Sequence, residues 1–196
     1  MKDPTGEKLR QLGFDVNDRI VSEAIGDAWL MSENRKMFSI LYLLGMGDYN
    51  FDTGVWTPTS HQVYSFDAEV FDIAHMYTLF LEGVQAIVPD VEISDVQEDL
   101  SGITEELVPH PDHPGLWTDG KRGLSFRCNG HLYAVEMTSW GDWWDDDILV
   151  FMNDVLEKEG CPNRLYMVSD RLDQLVILLY GTQERAREVE ALIRIH

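Results

Sequence analysis

The chain has 196 residues, enough for one large domain or two small ones sharing a core. Hydrophobic residues make up 44% and charged residues 26%, which excludes an intrinsically disordered chain, and no apolar run reaches the roughly 18 residues of a membrane span. Thirty-five acids against 15 bases give a net charge of −20, a balance that repels phosphate backbones and argues against nucleic-acid binding.

The acidity is unevenly placed. From Met37 to Gly120 there is no Lys or Arg but 15 Asp and Glu, and from Cys128 to Glu157 there is again no base against seven acids. Such a field aids solubility and speeds encounter with a basic protein. The segment MKDPTGEKLR has no apolar block after it, so no secretory leader is expected. Cys128 and Cys161 make neither a disulfide framework nor a zinc set, and a reducing cytoplasm is the expected home.

In chain order, residues 17–30 carry Ile20, Val21, Ala24, Ile25, Ala28 and Trp29 at the spacing of one buried helical face. Ser32 can cap a second helix from Glu33 to about Leu44, closed by Gly45 and Gly47. Val55–Trp56 and Gln62–Phe66 read as short strands around Pro58. Phe71 to Val84 returns to helical spacing, with Ile73, Tyr77, Phe80, Leu81 and Val84 on one side. Val91–Gln97 alternates like a half-exposed strand, and Ser101–Gly120, rich in Pro, Gly and Asp, reads as loop.

Leu124–Cys128 and His131–Thr138 flank Asn129-Gly130, a strong signal for a two-residue hairpin turn. A helix follows from about Asp145 to Glu159. Arg164–Ser169 and Gln174–Tyr180 read as a second strand pair around Asp170–Asp173, and Thr182 can cap a closing helix through Arg194. The expected class is α+β: an antiparallel sheet with helices packed on one face, preceded by a mainly helical half. The expected parts are residues 1–90 and 91–196, as two parts or one continuous domain.

Two clusters carry functional interest. Ser139–Ile148 (SWGDWWDDDI) holds Trp140, Trp143 and Trp144 with Asp142, Asp145, Asp146 and Asp147. Structurally, Asp142 or Asp145 can cap the next helix and the other aspartates suit its positive end. Adjacent tryptophans do not both point inward, so one is expected at the surface among acids, which is the composition of a protein-binding hot spot. Consecutive aspartates on a helix fan out by about 100° each, which argues against one shared cation.

The second cluster is His61, Asp67, Glu69, Asp72 and His75. On a helix, Glu69, Asp72 and His75 share a side, and with His61 they would make a mixed His and carboxylate metal site. The alternative is an ordinary polar helix start capped by Ser65, Asp67 or Asp72. His110 and His113 read as part of a solvated turn. No nucleophile elbow, phosphate loop or paired-histidine zinc motif is present, and no cofactor is expected.

The hairpin LSFRCNGHLYAVEMT, the helix start DWWDDD and the strand pair RLYMVSDRLDQLVILLY together resemble, over residues 91–196, the immunity proteins of bacterial polymorphic toxin systems. The resemblance implies a protein that neutralises a basic toxin by covering it, and it assigns no site residue. Three functional readings stay open: an acidic protein-binding module of immunity or inhibitor type, which is not an enzyme; a metal-dependent hydrolase or metal-binding protein built on the His61–His75 cluster; and a domain acting within a homo-oligomer.

Overall fold

Side-chain caps set where three of the helices begin. Asn17 Oδ1 accepts the Ile20 amide at 2.9 Å, Ser32 Oγ the Arg35 amide at 3.3 Å, and Thr182 Oγ1 the Arg185 amide at 3.3 Å. They open α2 (Asp18–Ile25), α3 (Glu33–Met46) and α6 (Gln183–Ile193). The computed structural model describes residues 4–26, 32–50, 52–110, 114–168 and 174–194. Part of the first expected helix, and both the Asp170–Asp173 turn and His113, lie outside them. α1 (Pro4–Gln11) was not anticipated, because a single apolar residue, the fully buried Leu9, anchors it.

The chain divides into two compact units, residues 1–67 with 165–196, and residues 68–164. The 1–90 and 91–196 parts are therefore each shared between the units. In the first unit, β1 (Asp48–Asn50) pairs with β2 (Val55–Thr57). A three-stranded sheet has β9 (Leu175–Gly181) between β3 (Val63–Asp67) and β8 (Arg164–Val168). β3 and β9 are antiparallel, from Val63 opposite Leu179 to Asp67 opposite Leu175.

The core of this unit joins Phe38, Ile40 and Leu41 of α3 to Val63, Ile177 and Leu179 of the sheet and Val189 of α6. Gly45 does not end α3; the helix runs on to Met46 and stops at Gly47, which has φ +71°. A Cβ on Gly45 would stand 2.8 Å from the Ser65 amide nitrogen, so its glycine lets the helix lie close on β3.

The second unit is built on β6 (Trp117–Cys128). β7 (His131–Ser139) follows it in nine unbroken antiparallel pairs, from Gly120 opposite Ser139 to Cys128 opposite His131. The hairpin closes at Asn129 (φ +50°) and Gly130 (φ +84°), the left-handed pair that a tight right-twisted turn needs. Along the other side of β6 lie β4 (Ile93–Asp99) and then β5 (Ile103–Pro109), both antiparallel. β6 alternates, sending Arg122, Leu124, Phe126 and Cys128 inward.

α4 (Met76–Ile87) and α5 (Asp147–Lys158) cover that inward face, through contacts such as Tyr77 beneath Arg122 and Phe151 edge-on to Phe126 at 6.1 Å. The α+β class expected from the sequence is the class of the structure. One expectation is corrected: Ser101–Gly120 is not a loop but holds β5 and the start of β6. Six of the seven residues of β5 are exposed, so the strand has no apolar alternation to reveal it. It exists because β6 offers a long backbone edge to pair with.

Candidate functional site

SWGDWWDDDI leaves the sheet at the end of β7 and enters α5 at Asp147, one or two residues later than the helical reading placed it. Along the way it pairs with the segment that precedes α4. The Val70 amide donates to the Asp142 carbonyl at 2.6 Å, the Trp144 amide donates to the Ala68 carbonyl at 2.7 Å, and Glu69 stands opposite Trp143 as an antiparallel bridge. Two clusters that are far apart in sequence thus meet backbone to backbone within the second unit.

The three tryptophans divide their work. Trp144 is buried, with its ring 5.5 Å from that of Phe80. Trp140 is half-buried, stacked at 5.1 Å and nearly parallel on His110, and its Nε1 donates to Asp145 Oδ2 at 3.0 Å. His110, the residue after β5, is therefore buried and not part of a solvated turn. Trp143 is 45% exposed, which matches the expected surface tryptophan.

The aspartates divide in the same way. Asp145 is buried, and both of its oxygens are used, Oδ2 by Trp140 and Oδ1 by the Asp147 amide at 3.0 Å. It satisfies the α5 start from one residue further out than a conventional cap, and Asp146, at the cap position, makes no side-chain cap bond. Asp142 is half-buried and contributes its backbone carbonyl, while Asp146 and Asp147 are exposed.

Ligand atoms of Asp145, Asp146 and Asp147 lie within 4.8 Å of one another, which corrects the expected fan: only Asp147 is in the helix, so the 100° rotation does not apply to the other two. Among the described residues this is the set of three His, Cys, Asp or Glu that comes together. The prior engagement of Asp145 leaves it a helix start with surplus charge.

The other predicted cluster does not form a helical row. His61 and Asp67 belong to the first unit, where Asp67 Oδ2 accepts from Gln174 Nε2 at 3.1 Å. Glu69, Asp72 and His75 belong to the second, and they share no helix face because α4 begins at Met76, after a 3-10 turn from Ile73 to His75. His75 Nδ1 sits 2.9 Å from Asp72 Oδ2, and this bond raises the histidine pKa.

The late start of α4 also turns out a residue that the helical spacing places inside, Ile73, and it leaves Phe71 ahead of the helix. Phe71 is wholly exposed and Ile73 is 42% exposed. Both follow Glu69 on the segment paired with Trp143. The sequence does not reveal the exposure of Ile73, because Ile73 fits the 3.6-residue period that Tyr77, Phe80, Leu81 and Val84 continue, whereas Phe71 stands off that face.

A second polar centre, unmarked in the sequence, sits beneath this surface. Arg122, 1% exposed, donates through Nη1 to Glu98 Oε2 at 2.9 Å and to the Ile73 carbonyl. Glu98 Oε1 in turn accepts the amides of Tyr77 at 3.1 Å and Thr78 at 2.8 Å, together with the Thr78 hydroxyl. A carboxylate from β4 therefore completes the α4 N-terminus, and an arginine from β6 ties both to the exposed turn. Burial, then the nearby Asp145 charge, raises the Tyr77 pKa, which keeps the phenol protonated.

Both cysteines are buried. Cys128 is buried at the end of β6 and its thiol is pushed up to about 11, chiefly by burial. Among the described residues no helix is long and apolar enough to cross a membrane. Comparison with protein-family models, with curated proteins and with solved structures finds no match to this chain.

Proposed function

We propose that the chain is an acidic protein-binding module of inhibitor or immunity type, which docks on a basic partner through residues 69–73 and 142–147. One observation carries the reading. Phe71, Ile73 and Trp143 are exposed on two backbone-paired segments that also bear Glu69, Asp72, Asp142, Asp146 and Asp147. Exposed aromatics within a charged rim are the make-up of an interface hot spot, in which the apolar anchors supply affinity and the charges supply rate and choice of partner.

The surface is also held firmly. Arg122 grips the Ile73 carbonyl from below, and the buried Trp144 and Asp145 fix the turn that presents Trp143. A preorganised face loses less entropy on binding. These acids all fall within the intervals 37–120 and 128–157, where the sequence has no Lys or Arg.

The test is a tagged pull-down from lysate of the native organism at low salt, eluted on a salt ramp and identified by mass spectrometry. A stoichiometric basic protein, released by salt and no longer captured by Phe71→Ser with Trp143→Ala, is the expected result. Capture that ignores both substitutions would sink the reading.

A further inference from the structure

The two outer edges of the second unit's sheet are built differently. The β4–β5 edge carries Asp95, Asp99, Glu105 and Glu106, ends on Pro109, and shifts register against β6 between Ser94 and Gln97 and again between Ile103 and Val108. Charge, proline and irregular register are the devices by which sheets prevent edge-to-edge pairing. β7 has none of them. It keeps nine unbroken pairs with β6, contains no proline or lysine, and has Glu136 as its single acid. Among the described residues β6 is its only strand neighbour.

We infer that β7 is a self-association edge, along which two copies of this chain pair antiparallel about a twofold axis to extend the sheet. The occupant follows from charge. Each copy carries −20, so most ways of bringing two copies together set acid against acid. A nearly uncharged strand is where like copies meet with least repulsion, whereas a basic partner gains nothing there.

The outward side chains of β7 are Leu132, Ala134, Glu136 and Thr138, three of them exposed. Twofold pairing centred on Ala134 sets Leu132 opposite Glu136 and the two alanines opposite each other. Centring on Glu136 would oppose the two carboxylates and is disfavoured. The contact is isologous and closed, giving a dimer rather than a fibre. It does not rest on the reading of the docking face.

Sedimentation velocity across a concentration series, on the full chain, tests it. The expected result is reversible dimerisation that Ala134→Lys weakens by about tenfold or more, because it places the missing edge lysine on an exposed position opposite Ser125. Hydrogen exchange on the unaltered chain supplies a second readout, with β7 amides slowing as concentration rises. A chain that stays monomeric throughout overturns the inference. So does a dimer indifferent to Ala134→Lys whose β7 amides exchange at the same rate at every concentration.

Discussion

The second unit contains two helix starts that solve one problem in opposite ways. At α4 the free amides are met by Glu98, a buried carboxylate brought in from another strand and matched by Arg122. At α5 they face three consecutive local aspartates, of which Asp145 alone is buried and bonded. In the first case every charge has a partner, as burial requires. In the second, Asp146 and Asp147 exceed what the helix needs and stand in water. A carboxylate fully employed by its surroundings reports on stability, and one in surplus beside exposed aromatics reports on encounter.

Substitutions at the two starts should separate those roles. Arg122→Met strands the buried Glu98 charge and should lower unfolding free energy by about 3–5 kcal/mol in urea titrations. A loss below about 1 kcal/mol would show that the pair is not the constraint its burial implies. Neighbouring tryptophans give the next contrast. Trp144→Ala should cost about 3–5 kcal/mol of stability, while Trp143→Ala should change stability by no more than about 0.5 kcal/mol. Trp143→Ala should nevertheless weaken capture of the basic partner by about thirtyfold, roughly 2 kcal/mol, in a titration.

Asp146→Asn with Asp147→Asn should shift stability by only a few tenths of a kcal/mol, since helix-dipole gains and mutual repulsion oppose each other. The pair should slow association and flatten its salt dependence in stopped-flow measurements. The smallest effect belongs to His75. Its Asp72 bond holds the folded pKa above the ordinary 6.5, so the bond's contribution is full below pH 6.5 and is lost as pH rises through the raised value. Proton NMR should record that raised titration, and Asp72→Asn should return it toward 6.5.

Features fixed by local chemistry were legible in the sequence. Asn17, Ser32 and Thr182 cap the helices they precede, and Asn129-Gly130 closes its hairpin. Features that depend on a remote partner were not. β5 is a strand because β6 extends to meet it, α4 begins late because Glu98 and Arg122 secure its first turn, and Ile73 is outside as a consequence. Of the candidate site, the surface tryptophan was readable from two adjacent rings that do not both point inward. Its pairing with residues 68–70 was not, because backbone hydrogen bonds leave no mark on residue type.

The pairing of β3 with β9 has a consequence for synthesis. Strand β3 is complete at Asp67, yet its neighbour begins at Leu175, more than a hundred residues later. The inserted second unit holds its own sheet and both covering helices, so it is able to condense while the ribosome is still working. Helices α1 to α3 must meanwhile keep Phe38, Ile40 and Leu41 from water without the sheet they will cover. The nascent chain therefore passes through an interval in which residues 1–67 are the part in need of a chaperone, and emergence of residues 165–196 ends that interval.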